Sequence, residues 1–110
     1  MPKFLTIGYG DRVGYDDTPK ALRDEAHAQD EKLVKDGALM GVAGAPVQVR
    51  NHQAGGVRTL PGAYMQAHLP VGGFAVIEAE TLDEAIKMVS GVPCAVANGV
   101  VEVWPLQDAP

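Results

Sequence analysis

Residues 71–89 read Val71-Gly72-Gly73-Phe74-Ala75-Val76-Ile77-Glu78-Ala79-Glu80-Thr81-Leu82-Asp83-Glu84-Ala85-Ile86-Lys87-Met88-Val89. Val71 to Ala79 has the period of a strand, with Ala75 and Ile77 on one face and Phe74 and Val76 on the other. Thr81-Leu82-Asp83-Glu84 is a capping box, in which the Thr hydroxyl and the Glu carboxylate each satisfy an orphan N–H at a helix start. Leu82, Ala85, Ile86 and Val89 then fall at i, i+3, i+4 and i+7, one apolar helix face, and Gly91 and Pro93 end it. Val100 to Leu106 alternates again, with Pro105 near its end, where a strand tolerates it. The stretch is one strand–helix–strand unit.

The amino-terminal half has the same order. Phe4 to Tyr9 reads as an inner strand, apolar on both faces. A loop rich in Gly and Asp follows, and Thr18-Pro19 predicts a helix start, with Thr18 as N-cap and Pro19 at the first helical position. Leu22, Ala26, Gln29 and Leu33 form a narrow stripe that Gly37 terminates. Ala38 to Ala43 is a second strand. Val47-Gln48-Val49-Arg50 and Val57-Arg58-Thr59-Leu60 alternate around turn material, which predicts a β-hairpin insert with one face in solvent.

The expected architecture is an α+β, ferredoxin-like βαβ-βαβ sandwich with both helices on one face of the sheet, in a single domain spanning 1–110. The helix-free face, expected to carry Phe4, Phe74, Val76 and Trp104, needs a cover, and a second copy of the chain is the economical one. A homodimer pairing sheet to sheet is therefore expected.

Composition narrows the function. The 110 residues are 46% apolar and 21% charged, a globular balance, and the net charge of −5 argues against a nucleic-acid partner. No apolar run approaches a membrane span, no secretory signal pattern opens the chain, and Cys94 is the one cysteine, so a cytoplasmic location without membrane contact is expected. Ser90 is the one serine. His27, His52 and His68 are not at metal-ligand spacing, and no metal is expected. Gly8-Tyr9-Gly10-Asp11 departs from a dinucleotide fingerprint, since Gly14 comes one residue late and the helix starts only near Pro19; no cofactor is expected.

The ordered set Gly73-Phe74-Ala75-Val76-Ile77-Glu78-Ala79, Thr81-Leu82-Asp83-Glu84-Ala85, Pro93-Cys94-Ala95 and Gly99-Val100-Val101-Glu102-Val103-Trp104-Pro105 resembles the YCII-related proteins, in particular their DGPF-domain branch. Lys3 to Asp11, the long helix ending at Gly37 and Val47 to Arg50 agree in layout. The resemblance implies a dimeric α+β barrel. The branch's Asp-Gly-Pro-Phe signature stands here as Pro61-Gly62-Ala63-Tyr64. The family's proposed active site pairs a histidine on the first helix with an aspartate before the proline that follows the second; His27 lies at about the first place and Val92 occupies the second.

His27 is accordingly the candidate catalytic residue, flanked along one helix edge by Arg23 and Asp30. The bland alternative is a solvated histidine on a charged helix. Tyr9, Arg50, Tyr64 and Met65 are the candidate ligand contacts, and each has a structural alternative as a packed or solvated side chain. Arg58 shares the hairpin with Arg50. Cys94 reads as a buried inert thiol, Trp104 as a core or dimer anchor, and Glu102 as an edge or cleft carboxylate. Two functions follow: a small-molecule site between the first helix and the sheet with His27 as acid–base residue, or a non-catalytic homodimeric ligand-binding or regulatory module.

Overall fold

The computed structural model describes residues 1–108, so the last two residues of the expected domain lie outside the described residues. Strand β1 (Lys3–Tyr9) lies at the centre, antiparallel to β5 (Val71–Glu78) on one side and to β6 (Val100–Pro105) on the other. β2 (Leu39–Val42) joins the far side of β5, giving the order β2-β5-β1-β6.

The register decides which residues form the core. Phe4 faces Ile77 and Thr6 faces Ala75, and all four are buried. Over them lie α2 (Lys20–Lys35), which buries Ala26 and Leu33, and α3 (Leu82–Val89), which buries Ala85 and Val89. Ile77 is fully enclosed, which stabilises the fold by about 1.5–3 kcal/mol. Thr81 caps α3 by accepting from the Glu84 N–H at 3.1 Å, and the Glu84 carboxylate reaches back to the Glu80 N–H at 3.0 Å. Gly37, at φ 110, ends α2 in the left-handed conformation that a side chain disfavours.

Leu5, Ile7, Val76, Phe74 and Trp104 lie on the opposite, helix-free face, where Phe74 and Trp104 are exposed. Phe4, expected on this face, belongs instead to the core at 4% exposure, because the strand period puts it with Thr6 rather than with Leu5.

The α+β class holds, but the expected ferredoxin-like sandwich closing into a dimeric α+β barrel is corrected. Among the described residues no sheet closes: the four-stranded sheet ends at β2 on one side and β6 on the other, and the hairpin of β3 (Val47–Arg50) and β4 (Arg58–Pro61) forms a separate two-stranded sheet. Closure requires the first and last strands to pair with a fixed stagger, and among the described residues β2 and β6 do not pair. The hairpin also departs from expectation in exposing both faces, with Val47, Val49 and Leu60 all exposed.

The loop after β1 contains a short helix, α1 (Arg12–Asp16), capped by the Asp11 carboxylate, which accepts from the Gly14 N–H at 2.8 Å. Thr18 is not the side-chain cap of α2; its buried hydroxyl donates to the Gly14 carbonyl at 2.9 Å. The last short helix is α4 (Pro93–Val96). Among the described residues no helix is long and apolar enough to cross a membrane.

Candidate functional site

His27 lies on the exposed side of α2, one residue beyond the buried Ala26. Its Nε2 shares a hydrogen bond of 2.7 Å with the hydroxyl of Tyr15, and the two rings meet edge to face, 5.8 Å between centroids. The Arg23 guanidinium carbon lies 5.0 Å from the centre of the Tyr15 ring, and Arg23 Nε is buried without a hydrogen-bond partner among the described residues. A cation over the ring face and an imidazole at the hydroxyl together fix the phenol from two sides.

Tyr15 escapes sequence reasoning because its segment reads as irregular. The turn of α1 that presents it is held from the other end of the chain. Asn98 donates to the Gly14 carbonyl at 3.0 Å and to the Thr18 hydroxyl at 3.3 Å. A Cβ on Gly14 would lie 3.0 Å from the Ala97 carbonyl oxygen, so the turn packs directly on that backbone. The one local signal for it was Asp11, a residue suited to open a helix.

A line of ionisable groups runs from His27 toward α4. Burial pushes the Asp30 carboxyl above the ordinary aspartate range, and the His27 charge pulls against it. Burial, reinforced by the negative charge of Asp30, pushes the Cys94 thiol up. The thiol is therefore protonated at neutral pH and a poor nucleophile. Its sulfur packs against glycine backbone: a Cβ on Gly8 would come within 2.8 Å of Sγ and one on Gly72 within 3.4 Å. Val92 is buried at the start of α4 and offers no carboxylate.

Among the expected ligand contacts, Tyr9 donates its hydroxyl to Glu102 Oε1 at 2.6 Å, and the Trp104 ring N–H lies 3.4 Å from the same oxygen. That acceptor, then burial and the carboxylate charge, raise the Tyr9 pKa. Arg50 and Tyr64 are brought together on the hairpin, the guanidinium carbon 5.7 Å from the ring centre. They line a cavity of about 430 Å³ with Gln48 and Gly62, and Arg50 also borders one of about 410 Å³ with His52 and Arg58. Met65 is 83% exposed. Among the described residues no group of three or more His, Cys, Asp or Glu side chains is placed to hold a metal ion.

The sequence model of the YCII-related domain matches residues 3–109, from the first residue of β1 to beyond β6. No curated protein matches the chain.

Proposed function

Because the chain belongs to the YCII-related family, we propose that it takes a small, carbonyl-bearing molecule between α2 and the sheet, with His27 as the acid–base residue and without a tightly held cofactor. The observation that carries this reading is the 2.7 Å hydrogen bond between Tyr15 and His27. Where the Tyr15 hydroxyl donates, the neutral imidazole carries its proton on Nδ1 and presents the Nε2 lone pair to Tyr15. A substrate proton passing to that nitrogen, directly or through the Tyr15 hydroxyl, is the step such a pair performs. Exposure of His27 supports access from solvent. Tyr9, Arg50, Tyr64 and Met65 stay outside this step; any ligand contact by the hairpin residues belongs to the hairpin's own cavities.

Self-association, a cytoplasmic location, a single domain and a place in the DGPF-domain branch complete the proposal. They rest on the uncovered Phe74 and Trp104, the single cysteine and the order of segments along the chain.

Val92 favours a second reading, a non-catalytic homodimeric ligand-binding or regulatory module, since this position supplies no carboxylate to partner the histidine. A thermal-shift screen of small carbonyl acids on wild type, His27→Ala and Tyr15→Phe separates the two. Binding to the folded state alone raises its melting temperature. Acid–base chemistry requires a stabilising compound that is turned over by wild type and left unchanged by a folded His27→Ala. A compound that stabilises wild type and His27→Ala equally and is consumed by neither supports the module.

A further inference from the structure

Residues 37–77 contain Arg50, Arg58, His52 and His68 and neither Asp nor Glu. The chain's other seven Lys and Arg lie outside this segment together with all fourteen Asp and Glu, so the rest of the molecule has a formal charge of −7. On the β3–β4 hairpin Arg50 pairs directly with Arg58 across the strands, an arrangement in which like charges repel. Among the described residues neither guanidinium forms an ion pair with a carboxylate.

Arg50 is also held in place. It is half-buried, its Nη2 donates to Gln48 Oε1 at 3.0 Å, and its guanidinium carbon lies 5.7 Å from the centre of the Tyr64 ring. A guanidinium fixed by a neighbour and an aromatic face loses little freedom on binding, and its remaining donors keep their planar fork. The turn joining the two arginines is strained: Gln53 and Ala54 stand at φ 55 and 57, successive non-glycine residues in the left-handed region. Asn51 Oδ1 holds the turn shut by accepting from the Gly56 N–H at 3.1 Å. Strain of this kind concentrates where a ligand is clamped. Beside the turn is a cavity of about 410 Å³ bordered by Arg50, His52, Gly55, Gly56, Val57 and Arg58. Its charged lining is cationic, and the rest is two glycines, a valine and an imidazole.

We infer that this cavity binds a small organic dianion, a phosphate monoester or a dicarboxylate, whose oxygens accept from Arg50 and Arg58 together. Two negative charges match two unpaired guanidinium groups and relieve their repulsion. The cavity is of small-molecule size and exceeds a bare phosphate, so the ligand carries an organic group beyond its charged head. The charge of −7 on the rest of the molecule repels a long polyanion and leaves a compact one free to enter. The site lies on the hairpin, goes beyond the acid–base reading and owes nothing to His27.

NMR titration of the full, ¹⁵N-labelled chain tests it, with phenyl phosphate and succinate as probes and acetate at equal ionic strength as control. At least one dianion produces saturable shifts at the Gly55 and Gly56 amides and the arginine side-chain Nε–H groups of the hairpin, and its affinity falls as salt rises. Whichever dianion binds more tightly identifies the head group. Arg50→Gln/Arg58→Gln weakens that binding about tenfold or more, the scale of a lost charge-assisted hydrogen bond. Arg58→Gln is the second variant: Arg58 is exposed and its removal leaves the Arg50–Gln48 contact intact, so it reports binding even if the double variant misfolds. Shifts from neither dianion overturn the site. So do acetate binding as tight as the dianions', shifts centred on α2 instead of the hairpin, or an unchanged affinity in folded Arg58→Gln.

Discussion

The Tyr15 hydroxyl and His27 Nε2, twelve positions apart on two different helices, lie 2.7 Å from each other. The pair depends on tertiary anchoring of α1 by Asn98, so the acid–base proposal has a structural requirement far from His27 in sequence.

Tyr15→Phe keeps the ring and removes the hydroxyl. With the phenol donating, wild-type Nε2 behaves as an acceptor nitrogen in the neutral imidazole, and its ¹⁵N resonance moves toward donor character in the variant. The melting temperature falls only slightly, as loss of one exposed hydrogen bond of net worth about 1 kcal/mol or less implies. An unmoved ¹⁵N resonance contradicts the pairing.

Asp30 makes stability depend on pH. Its folded-state pKa lies above the ordinary value because the carboxyl is partly buried. Its contribution is therefore full where both states are protonated and is lost as pH rises through the folded-state value. Asp30→Asn imitates the protonated form, so it melts higher than wild type at neutral pH, and the two converge below the carboxylate range. A variant that melts lower than wild type at neutral pH counts against burial as the ruling cause.

Gly8→Ala forces a Cβ to within 2.8 Å of Cys94 Sγ. The expected loss is about 1–3 kcal/mol by overpacking. Cys94→Ala removes the sulfur, so the double variant recovers part of that loss, a coupling that a double-mutant cycle in denaturant measures. Strict additivity of the two substitutions rejects the contact.

In a phenolate absorbance titration, Tyr9 ionises above its ordinary value because its proton is shared with Glu102. Glu102→Gln removes the carboxylate charge and brings that step down. A titration identical in both proteins is inconsistent with the hydrogen bond.

The strands, the two long helices and most of the core were legible because they follow from period alone: Ala75 and Ile77 against Phe74 and Val76, or Ala26 and Leu33 on one stripe. Phe4 was misassigned to the open face, although the strand period itself groups it with Thr6, which is buried. Barrel closure came from family resemblance, and register and strand count are non-local properties that resemblance does not set. His27 was put forward by its family position and its place on a helix edge. Its partner was not, because Tyr15 reaches it only through a turn that Asn98 and Gly14 hold in place.

The outer rim of β2 consists of Leu39, Met40, Gly41 and Val42, with no charged side chain to turn away an incoming chain. Proteins normally guard such a rim with lysine, proline or a bulge against fibril growth. This one relies on brevity, since four residues provide few amides for a foreign strand to bind. Lengthening that run by substituting β-formers at Ala43 to Pro46 would lead the chain to polymerise through its own main chain.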